Sequence, residues 1–328
     1  MQRFIQPGTI ECKPNKTTHL ELEVGSVNTA LYLLFDYFLA GAPADRIPFA
    51  GILGLIRELK ITINNTDDVL RLSGNELMAI YIADNGRRPS TTPVVELGED
   101  VRNVFPINHW CTNTEVIALT AHDYRKANKV VLSITWGDVG DLFHEANDGN
   151  FTSFRCAVEQ QAVQRYVSPL DGKVNKAGKP RRYNPAVRYF YRTEETFDRH
   201  MTGVELGRIE ATDNAARCKG FIMFATREEE IYANAFSGDL TLVQGDVTLG
   251  KVSLDVLRSS METMKATEIS NDVIYFPFSG LGRGVEIEDT RRWDDDIIIY
   301  GDITTGGNVQ APTTVTVLSD SYRQEKLK

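Results

Sequence analysis

Stretch after stretch of this chain alternates apolar and polar residues with a period of two: Thr18-His-Leu-Glu-Leu-Glu-Val24, Glu58-Leu-Lys-Ile-Thr-Ile63 and Thr313-Thr-Val-Thr-Val-Leu318. Successive side chains of a strand point to opposite faces, so such a run buries one face and wets the other. β-branched and aromatic residues dominate these runs, as strands prefer. The pattern predicts an all-β protein. Only two stretches read as helix, Gly74–Asn85 and Leu254–Lys265, the second from the three- and four-residue spacings of Leu254, Leu257, Met261 and Met264. Each is short and follows a hairpin. The first opens on Ser73-Gly-Asn-Glu76, a capping box in which serine and glutamate satisfy exposed N–H groups reciprocally, and Gly86 offers a left-handed stop.

Residues 168–186, SPLDGKVNKAGKPRRYNPA, hold three prolines, two glycines and five basic residues against one aspartate, with neither period. This stretch predicts a linker, and it divides the chain into an N-terminal arm (1–16), a first domain (17–167), a second domain (187–318) and a C-terminal tail (319–328). Each domain has a size suited to a sandwich of about eight strands.

The two halves repeat in order. Leu20-Glu-Leu22 matches Val204-Glu-Leu206 at an offset of 184, and Leu31–Leu39 matches Gly220–Ala225 nearby. A hairpin follows in each half, Leu59–Ile63 with Val69–Leu72 and Leu240–Val243 with Val247–Val252, and each runs into a serine-led helix. Ser73 and Ser253 lie 180 apart, Phe105-Pro106 and Phe276-Pro277 171, Trp136-Gly-Asp138 and Tyr300-Gly-Asp302 164, and Thr152 and Thr313 161. A duplicated fold with shorter loops in its second copy produces this steady drift.

The charge balance is 36 Lys plus Arg against 45 Asp plus Glu, a net −9, which argues against a broad nucleic-acid footprint. The apolar run Leu31–Ala44 is broken by Asp36 and Pro43 and falls short of the roughly 20 residues a membrane helix needs. The opening MQRFIQPGTIECK has no secretory-signal pattern, which predicts folding in a cytoplasm with reduced cysteines. Cys12, Cys111, Cys156 and Cys218 are spaced by 99, 45 and 62 residues, as buried thiols rather than a zinc or disulfide framework.

The search for chemistry is mostly negative. His19, His109, His122, His144 and His200 never form HxH or HExxH, so each reads as structural, and no G-x-S-x-G elbow occurs. Glu194-Glu195 and Asp67-Asp68 do not establish the carboxyl separation a glycosidase needs. Ser279-Gly-Leu-Gly-Arg-Gly284 lacks P-loop spacing and reads as a loop. Asp294-Asp-Asp296, near Glu286, Glu288 and Asp289, reads as a solvated acidic loop opposed by Arg291 and Arg292 rather than a calcium site. Trp110, Trp136 and Trp293 are expected as core or interface anchors. No catalytic, cofactor or metal site is assigned.

Two tandem all-β units, each with a hairpin leading into a short helix, resemble the double jelly-roll major capsid proteins of tailless icosahedral viruses with an internal membrane, of bacteriophage size. The residues that carry this are Leu55–Ile63 with Leu70–Leu77, Val130–Gly137 with Asp141-Leu-Phe143, and the matching run Ile297–Ile303. The resemblance implies two tandem eight-stranded jelly-roll β-sandwiches, each with a short helix after a β-hairpin, and a structural rather than enzymatic role. It implies homotrimers that form pseudo-hexameric capsomers and tile a shell around a membrane and genome. The implied partners are the chain itself, penton or minor capsid proteins and the viral membrane, without sequence-specific nucleic-acid binding. The implied location is the virion, after synthesis in the host cytoplasm.

The basic run Lys173, Lys176, Lys179, Arg181 and Arg182 reads as a solvated linker or as a contact to anionic lipid or packaged nucleic acid. Arg3, Lys13 and Lys16, interspersed with Phe4 and Ile5, read as a docking arm or a frayed terminus. Together these eight residues are the candidate inner-surface or membrane-proximal contacts. The rival reading is a two-domain jelly-roll glycan-active enzyme or carbohydrate-binding protein; another virion part, such as a spike or vertex protein, is also consistent with the texture.

Overall fold

The alternating runs become strands, and the strands sort into four antiparallel sheets. The computed structural model describes residues 2–40, 50–65, 67–89, 98–109, 121–142, 150–163, 187–210, 217–227, 230–232, 235–265, 272–278, 295–305 and 312–323. Contacts divide the chain into two units: Met1–Met78, Pro89–Arg188 and Arg323–Lys328 in the first, Ala79–Arg88 and Tyr189–Tyr322 in the second.

The first unit is built from β1 (Gln2–Ile10), β2 (Thr17–Leu22), β3 (Val27–Ala40), β4 (Ile56–Ile63), β5 (Asp67–Leu72), the start of α1 (Gly74–Asn85), β6 (Asp100–Asn108), β7 (His122–Asp123), β8 (Val130–Trp136) and β9 (Asn150–Val163). One sheet runs β1-β9-β3-β6 with the two-residue β7 also on β3, and the other runs β2-β8-β4-β5. The alternation holds in space, since β8 buries every second residue from Val130 to Trp136. Trp136, fully buried, donates its indole N–H to Thr18 Oγ1 at 2.7 Å and meets Phe154 of the other sheet edge-on, centroids 5.6 Å apart. A bulge in β9 pairs Phe38 with Ser153 but Leu39 with Phe151. The extra residue brings Phe151 and Phe154 onto one face, where both reach Tyr37.

The second unit contains β10 (Val187–Phe197), β11 (Met201–Ile209), β12 (Arg217–Arg227), β13 (Glu230–Ile231), β14 (Phe236–Gln244), β15 (Val247–Ser253), α2 (Leu254–Lys265), β16 (Ile274–Pro277), β17 (Ile297–Ile303) and β18 (Thr313–Arg323). One sheet runs β10-β18-β12, with β13 and β16 both on β12; the other runs β11-β17-β14-β15. Leu206, Leu240, Ile297 and Ile299 of one sheet and Phe221, Met223, Val315 and Val317 of the other form one core, closed by Leu254 and Leu257 of α2.

The sheet orders repeat strand for strand: β1-β9-β3-β6 becomes β10-β18-β12-β16, and β2-β8-β4-β5 becomes β11-β17-β14-β15. Each unit therefore has eight equivalent strands plus one two-residue strand among the described residues. In one sheet the sequence matches fall in hydrogen-bond register: Leu33 faces Phe105 and Val158, and Phe221 faces Phe276 and Ser319. Those equivalences carry the offsets 171 and 161 read from the sequence. In the other sheet the matches choose the right strands but slip by three residues. Leu22 faces Val130 where Ile209 faces Ile297, so the offsets are 187 and 167 rather than 184 and 164. Burial explains the correction, since the slipped alignment lays buried Trp136 on the outward-facing Tyr300, whereas the ladder lays it on buried Ile303.

Both helices have the expected bounds. The Ser73 N–H donates to Glu76 at 2.6 Å, the Glu76 N–H donates to Ser73 Oγ at 3.3 Å, and Gly86 ends α1 at φ 78°. Within the expected arm 1–16, Gln2–Ile10 pair with β9 as an edge strand whose ladder shifts register between Ile5 and Gly8. The last strand likewise continues past 318 to Arg323. The stretch 168–186 lies outside the described residues, and Ala79–Arg88 of α1 and its exit count with the second unit, where Arg88 reaches Asp272 at 3.4 Å.

Candidate assembly surfaces and a buried histidine pair

An edge strand carries unpaired backbone groups, and proteins normally dress it with charge or cover it. The exposed large apolar side chains here concentrate on such strands: Phe4 on β1, Tyr191 on β10, and Val247 and Leu249 on β15, with Val256 beside them in the first turn of α2. The β15 group is the most telling because the first unit supplies its own control. In both hairpins the ladder skips one residue at the same place, Val69 between the pairs of Ile61 and Thr62, and Leu249 between those of Leu242 and Val243. Val69 is 1% exposed and Leu249 is 49% exposed. The first unit also has a short 3-10 turn, Gly51–Leu55, nearly all buried, whose Leu53 carbonyl lies so close to Gly74 that a Cβ there would sit 1.8 Å from it. In the second unit only four residues separate β13 from β14, too few for such a strap.

The basic residues singled out in the sequence do not form one patch. Arg3 pairs with Glu23 at 2.5 Å and Lys13 with Glu11 at 2.9 Å, while exposed Lys16 makes no ion pair with the described residues. Arg3 stands near one end of β1 and Lys13 beyond the other, roughly 20 Å or more apart at the rise of a strand. Lys173, Lys176, Lys179, Arg181 and Arg182 lie outside the described residues, as do Trp110, Trp293, His144, Cys111 and the loop 279–284. Of the acidic loop, Asp296 lies 3.9 Å from Arg208, and Gln244 donates to the Asp295 carbonyl at 3.1 Å. Cys156 and Cys218 are buried thiols, the Cys218 S–H donating to the Gly220 carbonyl at 3.2 Å; Cys12 is half-buried, and its desolvation pushes the thiol up to about 12. Among the described residues no group of three or more His, Cys, Asp or Glu could hold a metal ion, and no helix is long and apolar enough to cross a membrane. A small recess in the second unit, lined by Ile82, Leu257, Met261 and Ile274, is mostly apolar.

One polar cluster was not legible in the sequence. At the N-terminal end of β3, Asn28 pairs across the ladder with His122 of β7, and the rings of His122 and His109 stack 3.8 Å apart at 14°. Both histidines are buried, His122 Nδ1 shares a hydrogen bond of 3.1 Å with the Tyr124 hydroxyl, and His109 Nε2 has no hydrogen-bond partner among the described residues. Burial pushes His122 down to about 3 and His109 well below its ordinary value, the neighbouring ring adding to the effect on His109.

No protein-family model matches the chain, and no curated protein matches its sequence. Solved structures do match its fold. The major capsid protein of Sulfolobus Turreted Icosahedral Virus, 11% identical, superposes with a TM-score of 0.68 over 98% of this chain and 96% of that one. The PBCV-1 virus capsid chain, 10% identical, gives 0.60 over 98% and 94%. The major capsid protein of bacteriophage PM2, 9% identical, gives 0.57 over 98% of both. The chain is a double jelly roll. Each half of the double jelly roll supplies the same eight strands in the same sheet order.

Proposed function

We propose that this double jelly roll is a major capsid protein, a structural subunit that trimerises and tiles an icosahedral shell around a membrane and genome. The strand-for-strand duplication carries the reading: three chains with two like units each present six similar blocks around one axis, which suits a pseudo-hexameric place in a lattice. The full-length likeness to solved capsid proteins supports the same role, and so does apolar surface on edge strands, which a second chain can cover. The partners are then copies of the chain itself, with penton or minor capsid proteins at special positions, and the chain resides in the virion after synthesis in the host cytoplasm. Lys16, and the linker bases Lys173, Lys176, Lys179, Arg181 and Arg182, are candidates for contact with the inner surface or the membrane, with Arg3 and Lys13 contributing only if their ion pairs open.

Light scattering coupled to size exclusion tests the reading. A stable species of about 110 kDa, three copies of the 36.7 kDa chain, with shells by electron microscopy, is the expected result. A monomer at every salt and protein concentration overturns it and favours a glycan-active or carbohydrate-binding protein, to be examined by glycan binding.

A further inference from the structure

We propose that the stacked pair His109 and His122 is an acid-sensitive clasp that holds β7 against the N-terminal end of β3. The two residues lie thirteen positions apart and meet where β7 and the end of β6 both abut β3. β7 is held to β3 by two cross-strand pairs, Val27 with Asp123 and Asn28 with His122. Around it, the His109 N–H donates to the Thr29 carbonyl at 3.0 Å, the Tyr124 N–H to Ser26 at 3.0 Å and the Gly25 N–H to Tyr124 at 2.9 Å.

Nothing in the described surroundings compensates a charge on either ring. β3 contributes Asn28, paired across the ladder with His122, and Thr29, whose carbonyl accepts from the His109 N–H, and the chain beyond β7 contributes the Tyr124 hydroxyl; none of these carries a charge. The one carboxylate close by in sequence, Asp123, is already engaged by Arg125, Nε to Oδ1 at 2.8 Å and Nη2 to Oδ2 at 2.5 Å. An imidazolium at either position is a buried cation stacked on a neutral ring, which a desolvated site opposes strongly. The rings therefore take up protons by leaving the site. The folded values lie below the ordinary 6.5, so the clasp's full contribution is present above that pH and is lost as pH falls below it. Opening that binds two protons rises about 100-fold for each pH unit, and opening that binds one rises about 10-fold.

Hydrogen exchange on the full chain between pH 7.5 and 4.5, corrected for intrinsic exchange rates, reads this directly. The amides of Gly25, His109 and Tyr124 are the clasp probes, and the Trp136 amide, bonded to Lys16 at 3.1 Å, is the control. The expected result is a clasp-opening constant that climbs two decades per pH unit below 6.5 while the control stays protected. In His109→Gln and in His122→Gln it climbs one decade per unit. Unchanged slopes in both variants, no slope in the native chain, or clasp and control exchanging together overturns the proposal. If the variants fail to fold, imidazole nitrogen shifts of the native chain decide. Both rings neutral at pH 5.5 in the closed protein support the clasp, and a ring that charges near 6.5 without loss of protection refutes it. The clasp belongs to the single chain, so this outcome is independent of whether the chain assembles.

Discussion

Val69 and Leu249 occupy the same bulge in two copies of one hairpin, yet the valine is sealed and the leucine is bare. Two other equivalent positions follow suit: Val247 stands exposed where the first hairpin has Asp67, and exposed Val256 stands where the first helix has buried Glu76. Burying one such side chain contributes about 1.5 to 3 kcal/mol, so a partner that covers the group gains appreciably.

Leu249→Asp is therefore expected to leave the unfolding free energy of the chain within about 0.5 kcal/mol of its native value while shifting self-association toward monomer. Val69→Asp, which buries a charge, should cost about 3 kcal/mol or more. Urea unfolding and light scattering on both variants separate the two effects.

Gly74→Ala should destabilise the protein even though alanine favours a helix interior by about 1 kcal/mol. The new Cβ would lie 1.8 Å from the Leu53 carbonyl oxygen, so the strap or the helix start must move. Ser73→Ala, which removes only the cap, should cost about 1 kcal/mol. A smaller loss for Gly74→Ala than for Ser73→Ala in thermal or urea unfolding would mean that the strap yields easily.

Acid should weaken the β3–β6 pair only at very low pH. Arg102 holds the Asp36 carboxyl below its usual range through hydrogen bonds of 2.5 and 2.9 Å, aided by its charge. A lowered carboxylate value stabilises the fold above the unfolded value of about 3.8 and loses that contribution as pH falls through the folded one. Both groups are surface-accessible, so a double-mutant cycle with Asp36→Asn and Arg102→Met should return a small coupling at pH 7 that shrinks as pH falls through the lowered folded value of Asp36.

The fold was largely legible because strands buried on one face must alternate and because one pattern occurs twice. Register was legible only where both copies kept the same residue types on the same face, as at Phe105 and Phe276. It failed between β8 and β17, where Trp136-Gly-Asp138 resembles Tyr300-Gly-Asp302 in letters but not in facing. β1 was hidden because Pro7 and Gly8 interrupt its alternation. The histidine clasp was hidden for a different reason: no local spacing relates Asn28, His109 and His122, and only the return of two strands to β3 brings them together.

The path of α1 bears on how the two halves can be separated. Residues 79–88 precede the 168–186 linker in the chain but count with the second unit. A protease that cuts within 168–186, the stretch expected as a linker, therefore does not separate the two units cleanly, since the N-terminal fragment keeps residues 79–88 of the second. The duplicated halves are interleaved, and neither gene segment alone encodes a complete second unit.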